Sequence, residues 1–269
     1  MEGEGSSEIE TNTDSLDNSI IFHVIKNTVG FILYMHQQIP SVLQDITLEY
    51  DSLKEEYEEM MAVAQAEAKA STKRKHISRM REVRIGIKRF DKLISTITGL
   101  ETALQLIISG IPGLESFILI LGASPLRPQQ VYELSFSHGN SLPGAHTDFA
   151  KTKAAEGLSR KVIRALITKG AGSGSYPGPT KLFLLVKAPS SFHFPLQFLP
   201  KRDFRYSKKI VPVKLRVKCK SQNLQMDAPD YACQKCSSIS SGDSASHELI
   251  WFQCRHVIKG LAFKTPTEE

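Results

Sequence analysis

Cys233 and Cys236 stand in a Cys-Gln-Lys-Cys pair, the spacing of one zinc knuckle or of a redox dithiol. A structural zinc site needs four ligands, and Cys219, His247, Cys254 and His256 are scattered singly rather than as a second pair. A redox dithiol opens a helix, whereas Ser and Gly follow Cys236. The pair therefore predicts free thiols in a flexible segment. His138, His146 and Asp148 share one polar loop that reads as solvated surface rather than as a metal site. The run from Gly170 to Lys181 is glycine-rich, yet Pro177 and Pro179 lack N–H donors and a strand-like segment follows, so it does not have the makings of a phosphate loop. No serine elbow or paired-carboxylate arrangement stands out. The expectation is a protein that is not an enzyme, with no metal and no cofactor.

A binding surface is the better candidate. From Thr152 to Thr168, Ala154, Leu158, Val162, Ala165 and Leu166 recur at helical spacing, and Ile163 and Ile167 widen the stripe. Arg160, Lys161 and Arg164 flank Ile163, so an apolar knob sits inside a basic rim. Periodicity alone leaves Ile163 as either a core residue or an anchor for another protein.

The elements that must carry this helix are legible in outline. A broad apolar stripe predicts a helix over 20–38, closed by Pro40; the Glu- and Lys-rich stretch 48–70 predicts an exposed second helix; Ile87, Phe90, Ile94, Ile97, Leu100, Leu104 and Ile107 predict a long helix over 83–108. Apolar runs at 117–121, 131–136 and 181–187 predict strands, the first two as neighbours. Val211, Val213, Leu215, Val217 and Cys219 alternate with polar or basic residues, which predicts a half-exposed strand, and Pro212 suggests that it starts at a sheet edge. The runs 249–252 and 257–263 read as two last strands. With 269 residues and 41% hydrophobic side chains, the chain supports one core, and residues 1–19, with almost no large apolar side chains, read as a disordered tail. The lack of a secretory leader and of an apolar run of membrane length predicts a soluble intracellular protein with no membrane partner and its four cysteines reduced.

Four ordered stretches give the chain a wider likeness: Tyr34-Met35-His36-Gln37-Gln38-Ile39-Pro40, Ile118 to Gly122 leading to Tyr132-Glu133-Leu134, Arg160-Lys161-Val162-Ile163-Arg164-Ala165, and Ile250-Trp251-Phe252-Gln253 leading to Lys259-Gly260. Together they resemble the comet family, HORMA-like silencers of the spindle checkpoint. The resemblance implies an α+β HORMA-like domain over 20–269, with three main helices packed on an antiparallel sheet and residues 221–269 forming a C-terminal safety belt. It implies an adaptor that binds the closed conformer of a HORMA checkpoint protein and presents it to an AAA+ remodelling ATPase of the pachytene-checkpoint family, and that extends to meiotic HORMA proteins. On this chain the checkpoint-binding residues would be Arg160, Lys161, Ile163, Arg164, Ile167 and Met35. Ile163 stands where the family has a large aromatic anchor, and Met35 where it has a contact-making amide. Pro200 and Lys201 match a Pro-Lys pair that the family uses to hold the ATPase, with Lys208, Lys209 and Lys214 extending the basic character. The implied location is nucleus and cytoplasm, with kinetochore or chromosome association.

A net charge of +6 raises a second possibility, a nucleic-acid-binding module. Its phosphate contacts would come from the basic strand at 211–219 and from Lys73-Arg74-Lys75-His76 with Arg79, Arg81 and Arg84, a block that also reads as a nuclear-localisation patch. Glu55, Glu56, Glu58 and Glu59 precede that block and no aromatics interleave it, so nucleic acid is the less favoured partner.

Overall fold

The computed structural model describes residues 7–66, 70–111, 113–137, 149–172, 178–207, 209–219 and 248–261. Lys220, the safety-belt residues 221–247 and 262–269, the His138/His146/Asp148 loop, Lys208 and the Cys233/Cys236 pair lie outside them. Among the described residues there are four helices and one mixed sheet, an α+β architecture.

The sheet grows outward from β2 (Ser116–Ser124), apolar on both faces and flanked on both sides by antiparallel strands, β3 (Arg127–Ser137) and β4 (Lys181–Pro189). A bulge interrupts β2/β3 pairing at Gly122, where a Cβ would come within 2.5 Å of the Arg127 carbonyl oxygen, so only glycine fits. Beyond β4 lie β7 (Leu249–Cys254) and then β5 (Phe198–Lys201) as the outer strand, while β8 (Ile258–Lys259) pairs with the start of β4. On the other side, β6 (Val213–Cys219) runs parallel to β3, and β1 (Ser7–Thr13) runs parallel to β6 at the far edge.

Both faces are covered, which explains the continuous apolar runs of β2 and β4. Phe117, Leu119, Leu121, Leu184 and Val186 point into the main core beneath the helices. Ile118, Ile120, Phe183 and Leu185 point the other way, under the segment that follows β5, where Phe204 packs edge-on against Trp251 and the Tyr206 hydroxyl donates to Glu133 Oε1 at 2.5 Å.

Helix α1 (Asn18–Met35) is apolar nearly all round and is accordingly buried nearly all round; Asp17 caps it by accepting from the Ile20 amide at 2.7 Å. Helix α4 (Lys153–Thr168), capped by Thr152, is one-sided and lies parallel to α1. Ser19 and His23 of α1 bond the carbonyls of Ala150 and Phe149 at one end, and Met35 touches Gly172 at the other. Helices α2 (Leu43–Ala66) and α3 (Ala70–Gly110) pair along their lengths, joined by bonds such as Glu56 to Arg79 at 2.7 Å and His76 to the Met60 carbonyl. At 41 residues α3 is roughly 60 Å long. Its last part, Leu100 to Ile108, fills the main core, so the apolar stretch long enough to cross a membrane by length and composition lies partly in packing.

Several expectations are corrected. Residues 7–13 are a strand, not tail: Ile9 and Thr11 turn inward, and Glu8 and Glu10 pair with Arg216 and Lys218 of β6 at 2.8 Å each. The strand forms because its partner offers a complementary charged face, a tertiary effect invisible in its own hydrophobicity. The sheet is mixed rather than antiparallel, and β6 is an inner strand, Pro212 falling just before its first paired residue. The four helices read from periodicity and propensity are present among the described residues, one more than the three main helices the resemblance implies, and the long one starts at Ala70, well before residue 83.

If β1 is integral to the fold, Ile9→Ala should lower the free energy of unfolding by about 2 kcal/mol in urea titration. A change under a few tenths of a kcal/mol would return these residues to the status of a tail.

Candidate interaction surfaces

Helix α4 buries Ala155, Leu158, Val162 and Leu166 against α1 and the core. The residues singled out on this helix fall on the outer side. Arg160, Lys161 and Arg164 are exposed, Ile163 is half-buried, and Ile167 is 53% exposed. Arg160 is held by Glu156 one turn back at 2.5 Å, and Lys161 Nζ donates to the Asn12 carbonyl at 3.3 Å, tying the helix to the end of β1. The basic rim is thus partly pre-positioned. Because α1 and α4 are parallel, their C-terminal ends meet, bringing half-buried Met35 and 44% exposed Tyr34 to the end of α4 that carries Ile167. Tyr34 was not singled out from the sequence, although it opens the motif that contains Met35.

Pro200 and Lys201 are both exposed at the outer edge, paired across β5/β7 with Phe252 and Trp251. A cavity of about 360 Å³ beside them is lined by Leu126, Lys201, Asp203 and Phe204 among others, and Leu126, at the β2–β3 turn, is 67% exposed. Lys209 is exposed in the following loop, but Lys214 does not extend this patch as expected: it lies on β6, five strand positions away. The α4 surface reaches β1, six strand positions from β5, so the two surfaces sit about 29 Å apart measured along the sheet.

At the end of α1 is a buried polar cluster that sequence reading passed over. His36, 1% exposed, meets the Tyr132 hydroxyl at 2.6 Å, and burial pulls its pKa from the ordinary 6.5 to about 4. Gln38, equally buried, accepts from the Thr180 amide at 2.6 Å and donates to the His36 carbonyl at 2.7 Å, while its own carbonyl accepts from the Leu261 amide at 2.8 Å. Gln37 before it adopts φ 52°. Gly260 lies so close that a Cβ would be 2.2 Å from Gln38 Oε1. The signal in the sequence was the polar residues His36 to Gln38 closing an apolar helix shortly before Pro40.

Among the described residues no group of three or more His, Cys, Asp or Glu is placed to hold a metal ion. Cys254 is buried, its thiol pushed up to about 11 by desolvation. The basic face of β6 is largely engaged, since Arg216 and Lys218 pair with β1. No protein-family model matches the chain, and no curated protein matches it significantly.

The His36 shift has a definite sign. Unfolded His36 takes up a proton near pH 6.5 whereas the folded side chain resists until about 4, so the unfolded state binds more protons across that window. Stability should be unaffected by this group above pH 6.5 and fall by roughly 3 kcal/mol as pH drops through the window. Urea titrations at pH 7 and pH 4.5 of wild type and His36→Gln should show a markedly smaller fall in the variant; parallel falls would remove His36 as the cause.

Proposed function

We propose that the chain is an adaptor of the HORMA-like comet type, which grips the closed conformer of a HORMA checkpoint protein through α4 and presents it to an AAA+ remodelling ATPase through β5. The observation that carries the proposal is the outer side of α4. Its inner side already fills the core, yet Ile163 remains partly exposed and Ile167 more than half-exposed, bordered by Arg160, Lys161 and Arg164. Apolar side chains within a charged rim are the composition of a protein-binding hot spot, with the charges steering encounter and the apolar centre slowing release.

Two further observations support it. Three of the four stretches that resemble the comet family converge in space, since Tyr34–Pro40, Tyr132–Leu134 and Lys259–Gly260 meet around His36 and Gln38. The exposed Pro200–Lys201 pair sits on the opposite sheet edge from α4, an arrangement that leaves both surfaces open at once. An adaptor that delivers one protein to another needs that separation. The ATP-driven opening of the HORMA protein would belong to the ATPase, and meiotic HORMA proteins would be recognised through the same α4 surface. The chain's own role would be geometric, in the nucleus and cytoplasm and at chromosomes.

Wild-type chain should co-elute in size-exclusion chromatography with the closed checkpoint protein and not with the open one. Ile163→Asp should weaken that complex by at least ~30-fold, as loss of an anchor worth about 2 kcal/mol requires. Equal elution of the variant, or no co-elution of wild type, would defeat the docking proposal. Pro200→Ala combined with Lys201→Ala should keep the checkpoint complex but abolish stimulation of the ATPase; unchanged stimulation would rule out β5 as the second contact.

A further inference from the structure

The free face of α3 carries a feature that the adaptor role does not use. Along this helix Val83 and Leu93 are buried and Phe90 packs against the core, which marks the inner side. On the opposite side Arg74, Arg81, Arg84, Lys88 and Lys92 are all exposed and fall within a sector of about 120°, over a length of about 27 Å. Ile77 and Ile85, 53% and 44% exposed, share it. The sector contains no carboxylate.

The nearest acidic groups on α3 are turned elsewhere. Glu82 lies 3.9 Å from Arg79, and Asp91 accepts from the Tyr50 hydroxyl of α2. Arg79 itself pairs with Glu56. Of the α2 glutamates that precede the basic block, Glu56 thus engages its inner flank, across the thickness of α3, roughly 10 Å, which is about one Debye length at physiological salt. Arg81, Arg84, Lys88 and Lys92 have no ion-pair partner among the described residues. Like charges aligned at one-turn spacing from Arg81 to Lys92, with Arg74 two turns before them, repel one another, and a linear polyanion relieves that repulsion along the whole row.

We infer that this face of α3 binds the phosphate backbone of double-stranded nucleic acid. A row of about 27 Å matches roughly eight base pairs of a duplex. An anionic membrane fits less well, because two isoleucines without an aromatic residue offer little to insert below the headgroups. The row has no Asn or Gln and follows one helix side, so it positions the protein on a duplex through phosphates without reading bases. The inference stands apart from the α4 and β5 surfaces, and would give an adaptor residence on chromatin.

The test uses the full chain and a labelled 30-base-pair DNA duplex of arbitrary sequence, read by fluorescence anisotropy between 50 and 200 mM NaCl. Five phosphate contacts predict a slope of log K against log salt of about −4.5, and hence a loss of roughly 500-fold in affinity over that range. Arg81→Glu with Lys88→Glu should weaken binding more than ~10-fold at 50 mM NaCl, and Arg81→Gln with Lys88→Gln should lower the slope by about 2. Both pairs change exposed positions only, and both should still co-elute with closed checkpoint protein if α4 is that docking site. Absence of duplex binding by wild type at 50 mM NaCl, variants that bind like wild type, or binding to phosphatidylserine vesicles but not to duplex would each overturn the inference.

Discussion

One buried amide ties together the segments around the end of α1. Gln38 emerges from the end of α1 just where Pro40 turns the chain away, and its side chain and backbone together bond His36, Thr180 and Leu261. Those three belong to the helix end, the approach to β4 and the segment after β8, regions far apart in sequence. A buried amide left without partners costs about 1–3 kcal/mol per unsatisfied group, so each segment is penalised for leaving while the others stay. Gly260 is required by the same contact, since nothing larger than a hydrogen fits against the amide oxygen. His36, held neutral by burial beside Tyr132, extends the cluster into β3.

From that cluster the orientation of the α1/α4 pair follows. Met35 is three residues before Gln38 and packs on Gly172, so the end of α4 is fixed relative to the sheet through α1. The outer side chains of α4 thus project from a frame that is tied at both ends, at Ser19 and His23 on one side and at Met35 on the other. Rigid placement of this kind reduces the ordering cost of association. The β5 edge, by contrast, is a four-residue strand ending in proline and lysine, a composition that discourages indiscriminate strand addition.

What the sequence made legible was whatever depends on local period. The stripes of α1 and α4 and the apolar runs of β2, β3 and β4 follow from side-chain spacing, and each appears within a few residues of its expected bounds. Elements decided by partners were not legible. Ser7–Thr13 has one large apolar residue, and nothing local says that Arg216 and Lys218 wait for Glu8 and Glu10. Pro212 misled as an edge signal, because it stands one residue before β6, whose pairing on both sides begins at Val213. The N-terminal half of α3 was hidden by its polarity, its helical state resting on propensity and on α2 rather than on a core. On the surfaces, the basic and apolar residues of α4 could be read from spacing, whereas Tyr34 and Leu126 become surface features only through the way helix ends and a hairpin turn are brought together.

The pairing of β1 with β6 also has a temporal side. Residues 7–13 lie against residues 213–219, so β1 is bonded to a strand synthesised some two hundred residues later. On the ribosome β1 must wait, unpaired, until β6 has emerged, and closing so long a loop is entropically slow. The two glutamates and the paucity of apolar side chains that made this stretch look unstructured keep it soluble during that delay. That edge of the sheet can therefore close only after β6 is made, long after β1 itself.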